Sequence, residues 1–248
     1  GKFRQADTLY NQALEIARKV NGNEHPNVAY TLNNLGILYT DMGLFTKAEE
    51  AIMEGLRIRK KNYGEDHIEN ASSYLALGNL YADRGKYEQA VQYYLEAVAL
   101  RKKYSGETST TYATYINNLA LVYHQMGLFK KAEALFLESM DIRKRKLGEK
   151  HALYAQSLNN LAAVYSDLAQ YEKAEKLNIE AAAIRKESLG PENADYAASI
   201  NNLANNYEAM GMPEKAEPLL LQARAIYEKA LGIGHPNYIK VNNNLATM

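Results

Sequence analysis

The chain repeats itself every 42 residues, and the register holds without an insertion from one end to the other. Ala6, Ala48, Ala90, Ala132, Ala174 and Ala216 form one column, and Tyr39, Tyr81, Tyr123, Tyr165 and Tyr207 another. Gly22, Gly64, Gly106, Gly148, Gly190 and Gly232 form a third; Gly1, Gly43, Gly85, Gly127 and Gly211 form a fourth. A strict period in this range marks a solenoid, in which each unit buries its apolar face only against its neighbours. One elongated array of about six units is therefore expected over residues 1–248, rather than two globular domains.

Within residues 25–64, Val28, Leu32, Leu35 and Tyr39 mark one stripe of a helix. Gly43 interrupts, and a second stripe runs through Phe45, Ala48, Ile52 and Leu56 to a basic end and Gly64, a helix-stop pattern. The spacing predicts helices over 26–42 and 45–62, repeated every 42 residues, and an all-α fold. Full units fall at about 25–64, 67–106, 109–148, 151–190 and 193–232, with an orphan second helix over 1–20 and an orphan first helix over 236–248. The small column Gly36, Gly78, Ala120, Ala162 and Ala204 faces the alanines at 48, 90, 132, 174 and 216, as required where two helix backbones approach closely. The chain begins mid-register, so it is expected to be part of something longer. Its two ends should expose apolar surface and invite end-to-end self-association.

Composition narrows the function. Acidic and basic residues balance at 29 each, which gives no global pull toward nucleic acid or an anionic membrane. There is no cysteine, and no apolar run approaches the ~20 residues that span a bilayer. A cytoplasmic protein is expected.

Leu35, Gly36, Tyr39, Gly43, Phe45 and Ala48 stand at the spacing of the tetratricopeptide repeat, which this chain resembles. The longer period, the stretch HPNVAYTLNNLGILY and the closing RIRKKNYG are similar to the 42-residue repeats of kinesin light chain. The resemblance implies a right-handed superhelical solenoid of helix-turn-helix repeats whose first helices line a concave side. It also implies a scaffold that binds proteins. Acidic peptides are held in kinesin light chain grooves by basic residues, which are largely missing from the first helices here.

No HExxH, phosphate loop or GxSxG occurs, so no catalytic residue, cofactor or metal is assigned. His25, His67, His151 and His235 share a column at the entry to the first helix, too far apart for common ligation, and read as residues that order the helix start. Arg59, Arg101, Arg143 and Arg185 lie in the last turns of the second helices, where a solvated, dipole-favoured face is expected. Tyr112, Tyr154, Tyr196 and Tyr238 read as core. Ala169 replaces the inter-helix glycine, and its turn is expected to differ. Asn178 stands where Ile52, Tyr94, Phe136 and Leu220 pack, and is expected to weaken its unit.

The asparagines carry the functional reading. Asn33–Asn34, Asn117–Asn118, Asn159–Asn160, Asn201–Asn202 and Asn243–Asn244 recur in five first helices. They flank a stripe that points away from the core, held by Ile37, Asn79, Leu121, Ala163 and Asn205. Two causes fit: hydrogen bonds between adjacent helices, or a ladder of amides for another chain's backbone, with one asparagine of each pair expected in each role. The candidate peptide-binding residues are Asn34, Asn79, Asn118, Asn160, Asn202, Asn205 and Asn244, the apolar spots Ile37 and Leu121, and the carboxylates Asp41, Asp83 and Asp167. The expected partner is a protein or peptide segment, neutral or basic rather than acidic. The alternatives are a regulatory or sensor arm of a larger effector, or a self-assembling structural array.

Overall fold

The computed structural model describes residues 2–247, with the side chain of Lys2 left aside. Among these residues there are twelve α-helices and no strand. They run Lys2–Asn21 (α1), Pro26–Asp41 (α2), Phe45–Tyr63 (α3), Ala71–Asp83 (α4), Tyr87–Ser105 (α5) and Thr110–Gln125 (α6). Then follow Phe129–Leu147 (α7), Ala152–Asp167 (α8), Tyr171–Leu189 (α9), Ala194–Ala209 (α10), Pro213–Leu231 (α11) and Pro236–Thr247 (α12). A short 3-10 turn, Ile68–Asn70, precedes α4. The chain divides into two compact units, residues 1–127 and 128–248.

The helices begin and end where the columns predict. The imidazole Nδ1 of His25, His67, His151 and His235 accepts from the backbone N–H two residues on. Ser109 and Asn193 do the same work in the remaining units, at 3.1 and 2.8 Å. The histidine column is a set of helix caps, which satisfies donors that the first turn leaves orphaned.

Each hairpin closes through a left-handed residue. Gly43, Gly85, Gly127 and Gly211 adopt φ of 70–72°, and Ala169 adopts φ 56° in the equivalent turn. The expectation of a different turn at Ala169 is therefore corrected. The same hydrogen bonds close it, Ala169 N–H to Ser166 O and Gln170 N–H to Tyr165 O, and the side chain accepts the strain. In the first hairpin the two backbones come so close that a Cβ on Gly36 would lie 2.2 Å from Ile52 Cγ1.

In unit 1 the core gathers Val28, Ala29, Leu32 and Ile58 around the first pair and Ala71, Ala97, Leu100 and Tyr115 around the next. In unit 2 it gathers Tyr154, Ala155, Leu158 and Ala181, then Tyr196, Ile200, Leu220 and Tyr227. Tyr112, Tyr154 and Tyr196 are buried as the core reading requires, and Tyr238 is half-buried against the last cluster. Successive pairs are tied by the tyrosine column. Tyr39 donates to Asp7 Oδ1 at 3.0 Å, Tyr81 to Glu49 at 2.6 Å and Tyr207 to Glu175 at 2.8 Å, each 32 residues back.

Candidate functional site

Two rows of side chains expected at the surface turn inward. Arg59, Arg143 and Arg185 are 4, 1 and 7% exposed, and Arg101 is half-buried. Each guanidinium reaches from a second helix into the first helix that follows. Arg59 donates to Ser73 Oγ at 2.6 Å, Arg143 to Ser157 Oγ at 2.8 Å and Arg185 to Ser199 Oγ at 3.0 Å. Arg101 meets Tyr115 instead, through the hydroxyl at 3.1 Å and with the guanidinium 4.9 Å from the ring centre. The solvated-face reading of this column is thus wrong. The last turns of the second helices are packed against a neighbour, so geometry outweighs the modest attraction of a helix C-terminus. Burial pushes the Arg143 guanidinium down to about 10, and lowers Arg59 and Arg185 as well.

The asparagine pairs split. Asn33, Asn117, Asn159 and Asn201 are buried, whereas Asn34, Asn118, Asn160 and Asn202 are half-buried. In unit 2 Asn159 is structural glue, whereas the Asn201 Oδ1 is buried without a partner. Asn159 Oδ1 accepts from Arg185 at 2.9 Å and Ser199 at 2.6 Å, and its Nδ2 donates to Asn178 Oδ1 at 2.9 Å. Asn178 is therefore a paired member of a buried network rather than an unsatisfied polar group in the core.

The half-buried row and the stripe beside it carry the candidate site. In unit 1, α2, α4 and α6 enclose a cavity of ≈ 310 Å³ lined by Ile37, Asp41, Asn79, Asp83, Asn118 and Leu121. Six of the residues singled out in the sequence thus meet at one place. Ile37 is 41% and Leu121 38% exposed, so the apolar spots are open to a ligand. Asn79 is held by Tyr94, whose hydroxyl donates to its Oδ1 at 2.5 Å, so the acceptor of this carboxamide is engaged within the protein. Burial, and then the charge of Asp41, raises the Asp83 carboxyl above its ordinary value. A second cavity of ≈ 310 Å³ adjoins the first and includes Asn34 together with Asn33, Arg59 and Ser72. In unit 2, Asn202 lines a small cavity of ≈ 120 Å³ between α10 and α12, and Asn244 donates to Asn205 Oδ1 at 2.9 Å. Asn160 is half-buried on α8, and Asp167 is exposed at its end.

The sequence reading missed Arg59, Tyr94 and Gln125 as members of this face. The signal for Arg59 is present in the chain. Arg59, Arg143 and Arg185 are each followed 14 residues later by serine, whereas Tyr227 at the same register is followed by Val241. Among the described residues no group of three or more His, Asp or Glu is placed to hold a metal ion, and no helix is long and apolar enough to cross a membrane.

Sequence patterns of the tetratricopeptide repeat match residues 1–61, 39–103, 110–187, 162–229 and 195–248. The chain belongs to the tetratricopeptide repeat family. Its all-α solenoid class follows from that match and from the helix order. Among solved structures, BtubC (BKLC) from P. vanneervenii is 26% identical with a TM-score of 0.77, over 95% of this chain and 94% of that one. Kinesin light chain-type TPR-like repeats from Podosopora anserina are also 26% identical, with a TM-score of 0.70, over 83% of this chain and 97% of theirs. The likeness to kinesin light chain repeats read in the sequence is thus borne out. A signal transduction ATPase of Pyrococcus horikoshii with a tetratricopeptide repeat sensor shares the fold at 18% identity, with a TM-score of 0.73; this chain covers 36% of it. No curated protein matches significantly.

Proposed function

We propose that this chain is a non-enzymatic binding module that holds an extended segment of a partner protein against its first helices. The observation that carries the reading is the convergence of Asn79, Asn118, Ile37, Leu121, Asp41 and Asp83 on one cavity of unit 1. A carboxamide offers two donors and an acceptor, so it can pair with a peptide backbone whatever side chains that peptide carries. The two apolar side chains supply contact area, and the two carboxylates favour a neutral or basic partner over an acidic one. Asn34 extends the same row in unit 1, and Asn160, Asn202, Asn205 and Asn244 offer amides in unit 2.

The test is selection of dodecapeptides from a random phage-displayed library on the full chain, followed by binding measurements with synthetic copies. Each amide contact is worth ~0.5–1.5 kcal/mol, so Asn34→Ala with Asn118→Ala should weaken binding ~5- to 100-fold while helicity is unchanged. Selected peptides that bind this double variant as tightly as the parent would place the site elsewhere.

A second reading, a sensor arm of a larger effector, draws on the fold shared with the Pyrococcus horikoshii protein. It is tested by the full-length gene product: an additional catalytic domain supports it, and a chain of repeats alone overturns it.

A further inference from the structure

The two cavities of unit 1 share Ile37, Ala76 and Asn79 and differ in charge, one holding Arg59 with Glu69 and the other Asp41 with Asp83. Arg59 lies in the one that includes Asn34. Its Nη1 donates to Ser72 Oγ at 2.7 Å and Ser73 Oγ at 2.6 Å, both neutral acceptors. Among the described residues no carboxylate forms an ion pair with it and no acceptor meets its other N–H groups. Arg143 and Arg185 differ, because each also donates to a backbone carbonyl, Leu153 O and Asp195 O. Beside Arg59 the Asn33 side chain is 5% exposed, and its Oδ1 is buried without a partner. Glu69 lines the same cavity and acts on Arg59 only through space.

The other cavity holds Asp41 and Asp83, from successive first helices, with no cation paired to either among the described residues. Partial desolvation of Asp83, and then the charge of Asp41, raise the Asp83 carboxyl. Unit 1 therefore keeps a desolvated cation, which Glu69 meets only through space, beside a like-charged pair with no cation on it. Each arrangement costs free energy that an opposite charge from outside would recover.

Resting on the groove-binding role proposed above, we infer that unit 1 takes a dipolar segment of its partner, with an acidic side chain at Arg59 and a lysine or arginine between Asp41 and Asp83. The order is fixed by the helices. The Arg59 cavity draws on Tyr30, Asn33 and Asn34 of α2, and the aspartate cavity on Thr40 and Asp41 about two to three turns later. The C-terminal end of α2 acts in the same sense at the aspartates, favouring a cation there. Seven or eight residues of helix separate the charges by ~11 Å, which an extended peptide spans in about three residues. The segment recognised thus carries an acidic and a basic residue about three apart and no large net charge.

Peptides selected on the full chain from the random dodecapeptide library should carry this pair at one spacing and in one order. In a selected peptide, replacing the acidic residue by glutamine, or the basic residue by glutamine, should each weaken binding ~10-fold. Arg59→Gln should abolish sensitivity to the first replacement and keep sensitivity to the second. Asp41→Asn with Asp83→Asn, both exposed, should do the reverse. The peptide-side replacements decide the matter even where Arg59→Gln unfolds the protein. Peptides that depend on Asn34 and Asn118 but carry one sign of charge, or none, overturn the dipolar site and leave the groove reading standing. A library that yields no binder overturns both.

Discussion

Replacing Arg185 by methionine separates a buried clip from a solvated surface charge. Arg185 is 7% exposed, and its Nη1 shares two hydrogens among Asn159 Oδ1, the Asp195 carbonyl and Ser199 Oγ, at 2.9, 2.9 and 3.0 Å. Methionine keeps most of the stem and removes only the charge and its donors. Two hydrogen bonds from a charged donor are worth ~1.5–3 kcal/mol each. Against that stand the desolvation of the guanidinium, which lowers its proton affinity, and a buried Nε with no partner. Ser199 continues to donate to Asn159 at 2.6 Å, which limits the damage further. The net loss is about 2–3 kcal/mol, or roughly 4–12 °C in midpoint for a chain of this size. Thermal and urea unfolding followed by circular dichroism measure it. Arg145→Met is the control, since Arg145 is an exposed residue paired four positions away with Asp141 and should cost under ~0.5 kcal/mol. A solvated, dipole-favoured Arg185 would be worth only ~0.3–1 kcal/mol. If Arg185→Met and Arg145→Met shift the midpoint equally, the clip contributes nothing and the reasoning fails.

Ala169 holds φ 56° where the equivalent turns carry glycine. Relief of that strain predicts that Ala169→Gly raises stability by ~0.5–1 kcal/mol, and that Gly211→Ala at φ 70° lowers it by a similar amount. Urea midpoints that move the other way would show that the left-handed turn is not the strained element. Alkaline pH should also destabilise unit 2. The Tyr207 and Tyr227 hydroxyls are raised from 10.0 to about 12, by burial first and then by Glu175 and Asp195 respectively. Their folded values exceed the unfolded one, so the stability they contribute is intact below pH ~10 and is lost as pH rises through about 12. Tyr207→Phe should flatten part of that decline in the unfolding midpoint. A midpoint that stays level across the window would exclude the linkage.

The sequence by itself determined the repeat, the helix boundaries, the caps and the family. These are local matters. A histidine beside a helix start, a glycine in a left-handed turn and an apolar stripe at helical spacing each act on backbone within a few residues, so a one-dimensional register is enough to read them. Six of the candidate binding residues were legible for the same reason: in first helices repeated at a fixed period, Ile37, Asn79 and Leu121 must recur on one side, and Asp41, Asp83 and Asn118 beside them. What the tertiary structure alone decided was which polar side chains face inward. Arg59, Arg143 and Arg185 look like helix-end cations until the next repeat closes over them, and Asn178 looks like a flaw until Asn159 meets it. Tyr94 reads as one more core aromatic until its hydroxyl is seen to hold Asn79. Burial of a polar group depends on partners 14 to 40 residues away in the chain, and hydrogen-bond geometry between neighbouring repeats, rather than helical periodicity, fixes that choice.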